Sequence, residues 1–131
     1  MFEWKGGIGR LRLLDWLPFG RVAEISPDEL AARLQAGERL LVLDVRTALE
    51  YRRGHIAGAI HVPVQSLATA LPHLEPAHLD RDRHVPVVAV CKTAHRSIPA
   101  VRLLRERGLQ AAQLTGGMDL WRRLGHPVRR G

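Results

Sequence analysis

Two short apolar segments, residues 40–45 and 85–90, constrain the fold of this chain more than any other feature. Each is a nearly continuous run of Leu, Val and Ala, interrupted only by one Asp in the first run and one Pro in the second. Such runs are typical of strands covered on both faces, as in a parallel sheet. Segments with helical patterns lie between the strand-like segments, and this alternation is typical of parallel sheets with right-handed crossovers. The sequence therefore predicts an α/β fold.

The other elements follow from local patterns. Three more strands are predicted, at residues 22–25, 59–62 and 111–114. Five helices are predicted, at residues 26–37, 47–54, 65–71, 98–108 and 118–124. The first two helices begin with capping boxes, Ser26 with Glu29 and Thr47 with Glu50, and the first also has a proline at its first helical position. Residues 72–83 are polar and interrupted by prolines, so we expect a surface connection there.

Composition limits the classes of protein to which the chain can belong. With 131 residues, 46% hydrophobic and 25% charged, it is long enough for one domain with a substantial core. A single cysteine excludes an internal disulfide framework and a cysteine-rich zinc site, and it favours reducing, cytoplasmic surroundings. The seven histidines lack the spacing of known metal motifs. We therefore expect no metal and no cofactor.

The formal charge of +7 predicts anionic ligands or acidic partners. Its arginines are scattered along the chain and do not form a basic tract interleaved with aromatic residues, so small-anion chemistry is favoured over nucleic-acid binding. No apolar run approaches the roughly 20 residues that span a bilayer. Charges interrupt every apolar stretch near the N-terminus, so no secretory signal is expected.

Residues 1–20 differ from the rest and are interpreted as an N-terminal amphipathic extension to a domain at residues 21–131. They contain four of the six aromatic residues and an apolar stripe at helical spacing. A short helix that packs on the domain is the favoured interpretation. An interfacial membrane helix and a self-association surface remain open as alternatives.

The segment at residues 91–97 combines the only cysteine with nearby cations. Cys91 directly follows the apolar run at residues 85–90, and a predicted helix begins at residue 98. In open α/β sheets, ligands bind at the carboxyl ends of strands, and a helix N-terminus there favours an anion. This setting makes a thiolate out of an otherwise inert thiol, so Cys91 is the candidate nucleophile.

Three motifs follow one another along the chain. The first covers residues 43–46, 50–51 and 54–60, the second residues 90–97, and the third residues 114–118, Trp121 and 125–128. Together they resemble the rhodanese family of sulfurtransferases, specifically its single-domain members. Order and spacing agree over about residues 22–128, so the first 20 residues fall outside the resemblance. The resemblance implies a rhodanese-like five-stranded parallel sheet flanked by helices on both faces.

The resemblance also implies a double displacement. Cys91 would take the outer sulfur of thiosulfate or a similar donor, form a persulfide, and pass the sulfur to cyanide or to a thiol acceptor. Two cations in the segment, Lys92 and Arg96, would attract an anionic donor and favour the thiolate. We expect Asp44 and Arg46 to support the loop and Glu50 to cap its helix, whereas His95 more simply faces solvent. The substrate-binding loop would comprise Lys92, Thr93, Ala94, His95, Arg96 and Ser97.

Loop length separates sulfur transfer from phosphatase chemistry. A related phosphatase fold places five residues between its Cys and Arg, whereas here four residues separate Cys91 from Arg96. A shorter loop encloses one sulfur atom in preference to a phosphoryl group. A phosphatase or an arsenate reductase is therefore disfavoured, the latter also because the chain has no second cysteine.

Ala94 departs from the family pattern, since many relatives have glycine at this position. If Ala94 has a positive φ, the loop carries about 1 kcal/mol of strain. Weak activity or a different donor would then follow. The alternative hypothesis is a non-catalytic rhodanese-like interaction or sulfur-carrier module, which Ala94 and the N-terminal extension favour and the intact Cys91 and Arg96 oppose.

Overall fold

The structure, a computed structural model, describes residues 22–78 and 85–131. The predicted N-terminal extension at residues 1–20 lies outside the described residues, and so does the part of the predicted surface connection at residues 79–83.

Five parallel strands form one sheet, which confirms the predicted architecture. They are β1 (Glu24–Ile25), β2 (Leu41–Asp44), β3 (Ile60–His61), β4 (Val87–Val90) and β5 (Ala111–Leu114). Their order in the sheet is β1-β5-β4-β2-β3, and every neighbouring pair is parallel. β5 matches its predicted bounds, whereas the other four strands are shorter at one or both ends. The strand that precedes the cysteine is therefore the central one.

Helices cover both faces of the sheet. They are α1 (Pro27–Gln35), α2 (Ala48–Arg53), α3 (Leu67–His78), α4 (Ser97–Glu106) and α5 (Gly117–Arg123), and a 3-10 turn (Val64–Ser66) precedes α3. Alternate residues of β4 point to opposite faces: Val87 joins a core that includes Leu104 of α4, and Val88 joins a core that includes Trp121 of α5. Within the described residues, no helix combines the length and apolar character needed to cross a bilayer.

Side-chain caps begin α1 and α2, and the complete capping box that the sequence predicts at both helices is present in α2, whereas in α1 the Glu29 carboxylate pairs with Arg33. The Ser26 hydroxyl accepts a hydrogen bond from the Glu29 backbone N–H, and Pro27 is the first helical residue. Thr47 and Glu50 form a reciprocal capping box at the start of α2. These caps place the first turn of α2 immediately after β2, beside the carboxyl ends of the strands.

The prediction of a surface connection from residue 72 onward is wrong in its first part, because α3 continues through Pro72 to His78. Leu67 and Leu71 are buried and Leu74 packs against the same core, so one face of this helix is held along about two turns. A proline inside a helix removes one backbone hydrogen bond, and burial of the leucine face outweighs that loss here.

Candidate active site

Cys91 lies directly after β4, at the carboxyl edge of the sheet. It is 1% exposed and belongs to the hydrophobic core beneath α4. Its backbone carbonyl accepts a hydrogen bond of 2.8 Å from the N–H of Met118 in the first turn of α5. The thiol is thus held between the central strand and the starts of two helices.

The loop at residues 92–96 leads from Cys91 to α4. Lys92, Thr93 and His95 are exposed, whereas Ala94 and Arg96 are half-buried. None of the five backbone N–H groups at residues 92–96 donates to an acceptor in the part of the chain that the structure describes. Five donors of this kind beside one thiol are suited to bind an anion.

Ala94 has a φ of 71°, and it is the only non-glycine residue with positive φ among the described residues. Ala94 therefore has the positive φ on which the expected strain depends, because the loop needs a left-handed residue where this chain has alanine. Alanine in that conformation costs about 1 kcal/mol relative to glycine.

Ala94→Gly is expected to raise the free energy of unfolding by up to about 0.5 kcal/mol, because relief of the strain slightly exceeds the added freedom of the unfolded chain. Urea denaturation measures this change. The matched control is Ala68→Gly at an exposed position in α3, which should destabilise by about 1 kcal/mol because that residue is helical. Equal destabilisation by the two variants would contradict the strain argument.

Lys92 does not stand free in the loop. Its ammonium group forms a 2.8 Å ion pair with Asp119 of α5, and its side chain is 58% exposed. The backbone N–H of Asp119 also donates to the Lys92 carbonyl, at 3.1 Å. The structure therefore places Lys92 on the outside of the loop, where it connects the loop to α5.

Arg96 makes a two-pronged ion pair with Glu50 of α2. The Nη1–Oε1 and Nη2–Oε2 distances are 2.7 Å and 2.8 Å. Hydrogen bonding from Arg96 lowers the pKa of Glu50 to about 2, against the opposing effect of burial. The same hydrogen bonds raise the pKa of Arg96. Glu50 thus caps its helix, as predicted, and also fixes the Arg at the end of the loop, which the sequence analysis missed.

The Glu50 pair predicts a specific loss of stability in acid. Because folding lowers the pKa of Glu50, the unfolded chain takes up this proton first as pH falls. The contribution is complete above about 4.5 and is lost as pH falls toward about 2. Glu50→Gln should lack this part of the pH dependence and should be less stable at neutral pH by on the order of 1 kcal/mol.

Urea denaturation of both proteins across that pH range tests this prediction. The control is Glu29→Gln, which removes an ion pair with Arg33 between neighbouring turns of α1. A pair of that kind contributes less than about 0.5 kcal/mol. Identical pH dependence in wild type and Glu50→Gln would contradict the assignment.

Asp44 and Arg46 form a buried ion pair at the carboxyl end of β2. The Nη2–Oδ2 distance is 2.7 Å, and Arg46 Nη2 also donates to the Gly54 carbonyl at 2.8 Å. The Arg46 carbonyl in turn lies 2.7 Å from a ring nitrogen of His61. These contacts connect the end of β2 to the end of α2 and to β3. The support that this pair gives to the loop at residues 92–96 stays a prediction.

The site therefore brings together some of the predicted residues and separates others. The Ser97 hydroxyl lies 3.4 Å from the sulfur of Cys91, and Arg96 is close enough to interact electrostatically with that sulfur. Thr93 and the exposed His95 contact each other at 3.0 Å instead.

Two carboxylates, Glu50 and Asp119, were missed as partners of the loop cations. Nothing local in the sequence indicates either pairing, since both join segments far apart in the chain.

Known proteins resemble this chain in sequence and in fold. The sequence profile of the rhodanese-like domain family matches residues 26–124. A sulfurtransferase of Allochromatium vinosum is 32% identical over 108 residues, covering 82% of this chain and 94% of the relative. The HTH-type transcriptional regulator Rv0324 of Mycobacterium tuberculosis is 42% identical over 109 residues, but the match spans only 45% of the regulator.

A solved structure gives the same result. The rhodanese-related protein of Thermoplasma volcanium superimposes with a TM-score of 0.69 at 30% identity, covering 81% of this chain and 96% of that one. The profile match, the relative that is matched over 94% of its length and the superposition all indicate the same fold. The chain belongs to the rhodanese-like domain family.

Proposed function

We propose that the chain is a sulfurtransferase that moves sulfane sulfur from thiosulfate, or a similar anionic donor, to a thiol or to cyanide. Cys91 carries the sulfur as a persulfide. The observation that carries this proposal is the buried thiol beside five backbone N–H groups, at residues 92–96, that have no acceptor among the described residues. The name of the Allochromatium relative supports the same class of reaction.

The reaction consists of two displacements at sulfur. The Cys91 thiolate attacks the outer sulfur of thiosulfate, a new S–S bond forms, and the old S–S bond breaks with its electron pair leaving on sulfite. A nucleophilic acceptor then attacks the outer sulfur of the persulfide, and the electron pair of that S–S bond returns to Cys91 as thiolate. Each half is a nucleophilic substitution through a covalent intermediate.

The loop stabilises the anionic sulfur chiefly through its backbone. Lys92 is paired with Asp119 and Arg96 with Glu50, so each loop cation already has a carboxylate partner. The N–H groups are fixed partial charges and need no reorganisation when the persulfide anion forms. Four intervening residues make the loop small, which supports a single sulfur atom over a phosphoryl group as its occupant.

The decisive experiment is the intact mass of the chain after treatment with thiosulfate, followed by removal of the donor. We expect a gain of one sulfur atom, and its loss as thiocyanate when cyanide is added. Glutathione persulfide and inorganic polysulfide extend the panel of donors. A chain that gains no sulfur from any of the three would overturn the proposal.

The alternative is a non-catalytic interaction or sulfur-carrier module. The positive φ of Ala94 favours it, because a strained loop is less well organised for turnover. The Mycobacterium regulator also shows that a similar domain occurs within a longer protein. Stoichiometric sulfur loading with no repeated thiocyanate formation would support a carrier, and a stable partner with no loading would support an interaction module.

A further inference from the structure

A line of hydrogen-bonded polar groups runs from the Cys91 thiol to the edge strand β1. The sulfur lies 3.4 Å from the Ser97 hydroxyl, which lies 2.6 Å from the side-chain oxygen of Gln113. The Gln113 amide nitrogen lies 2.8 Å from a carboxylate oxygen of Glu24, and the Thr115 hydroxyl donates to the other oxygen at 3.3 Å. Glu24 and Gln113 are register partners in neighbouring strands.

This line of polar groups crosses the buried core of the domain. Ser97 is fully buried and Gln113 is 4% exposed. A buried amide and a buried hydroxyl need partners for all of their polar groups, so each orientation along the line is determined by its neighbour. Glu24 and Gln113 lie outside the motifs that carry the family resemblance, whereas Cys91, Ser97 and Thr115 lie within them.

The carboxylate of Glu24 fixes the direction of the whole line. A carboxylate only accepts hydrogen bonds, so the NH2 group of Gln113 must face Glu24 and its carbonyl oxygen must face Ser97. The Ser97 hydroxyl has one proton, and it is used toward Gln113. The remaining contact, with Cys91, can then be made only by the S–H group donating to the Ser97 oxygen.

We propose that Glu24 is a positioning residue which, through Gln113, makes Ser97 an acceptor for the Cys91 S–H and so favours the protonated thiol in the unloaded chain. Ser97 is thereby prevented from stabilising a thiolate. The backbone N–H groups of the loop are left to stabilise the anion when the donor arrives. The inference concerns the nucleophile of the proposed sulfurtransferase, and its biological meaning rests on that function. The protonation state of Cys91 is measured without any sulfur donor, so the measurement itself does not depend on that function.

Other charged groups near Cys91 have partners of their own that the variants below leave in place. Arg96 at the start of α4 is paired with Glu50 of α2, Lys92 of the loop with Asp119 of α5, and Asp44 of β2 with Arg46, while His95 of the loop is exposed. At the other end of the line, the Glu24 carboxylate contacts Gln113 and Thr115 of the neighbouring strand.

The test is a titration of the thiolate by its ultraviolet absorbance, with Cys91→Ala as the blank. Cys91 is the only cysteine, so the signal belongs to it alone. In Glu24→Gln, the new amide can donate to the Gln113 oxygen, which lets Gln113 rotate and present its NH2 group to Ser97. The Ser97 hydroxyl is then free to donate to sulfur. We expect the midpoint to fall by about one pH unit, equivalent to about tenfold more thiolate on the acidic side.

Two comparisons separate the hydrogen-bonded line from simple loss of a negative charge. Gln113→Met removes the acceptor of the Ser97 proton without changing the charge and should shift the midpoint in the same direction. Glu29→Gln in α1 removes one carboxylate outside the line and should leave the midpoint unchanged.

The deciding measurement is the effect of Glu24→Gln in a Ser97→Ala background, where the line is interrupted. We expect the effect to disappear there. An unchanged midpoint in Glu24→Gln alone, or a shift that persists in the Ser97→Ala background, would overturn the proposal. If Gln113→Met does not fold, this cycle still decides. Sulfur loading is scored separately, so its absence would contradict the proposed function and leave the titration result intact.

Discussion

Cys91→Ala is expected to abolish sulfur loading and thiocyanate formation completely. The chain has one cysteine in 131 residues, so no second thiol can accept sulfur in its place. No partial activity is expected, because the chain has no other cysteine that could carry the persulfide. The loss should affect both half-reactions, since the same atom is nucleophile in the first and leaving group in the second.

The fold should tolerate this change. Cys91 is buried, but its sulfur makes one polar contact, to Ser97, and Ser97 keeps its bond to Gln113. Removal of one sulfur atom from the core costs about 1 kcal/mol. Intact mass after thiosulfate treatment, together with urea denaturation, separates lost chemistry from lost structure.

Cys91→Ser is the matched control, because it keeps a polar atom in contact with Ser97 and lacks sulfur chemistry. It should be as inactive as the alanine variant. Sulfur that remains attached to either folded variant after the donor is removed would refute the assignment of Cys91 as the carrier.

The architecture was predictable because its signals are local. The continuous apolar runs gave the central strands, and the capping residues Ser26 and Thr47 gave the starts of two helices. The spacing of Cys91 and Arg96 indicated a small loop. Each of these features depends on residues a few positions apart, and local propensity and tertiary packing agree at these sites.

The length of α3 was not predictable from its prolines. Proline is a helix breaker on average, and Pro72 therefore suggested that the helix ends. Tertiary burial of Leu71 and Leu74 on the core reverses that preference. The deciding term is contact with residues elsewhere in the chain, which no local pattern expresses.

The electrostatics of the site were predictable only in part. The sequence placed Lys92 and Arg96 beside the thiol, but it did not indicate that each would be paired with a carboxylate 27 or 46 residues away. Those pairings depend on how α2 and α5 pack around the loop. The groups of the loop that have no protein partner among the described residues are therefore its neutral backbone N–H groups, at residues 92–96, and not its two cations.

Gly117→Ala is expected to have the largest effect on stability, about 3 kcal/mol or more. A Cβ at this position would lie 2.4 Å from the carbonyl oxygen of Cys91 and 2.5 Å from that of Lys92. Both neighbours are backbone atoms, so no side chain can rotate away. The same two carbonyls accept hydrogen bonds from Met118 and Asp119, which hold the loop on the first turn of α5.

The added methyl group must push α5 and the loop apart, so sulfur loading should fall in the fraction that still folds. Gly37→Ala is the matched control, since Gly37 also has a positive φ, 76°, but has no atom within 4 Å of the added Cβ. It should cost only the backbone strain, about 1 to 2 kcal/mol, and should load sulfur like wild type. Urea denaturation and intact mass of both variants test the comparison. Equal stability of Gly117→Ala and Gly37→Ala would mean that the close approach of α5 to the Cys91 carbonyl does not hold the loop. The positive φ of Gly117 would then be the sole reason that the position requires glycine.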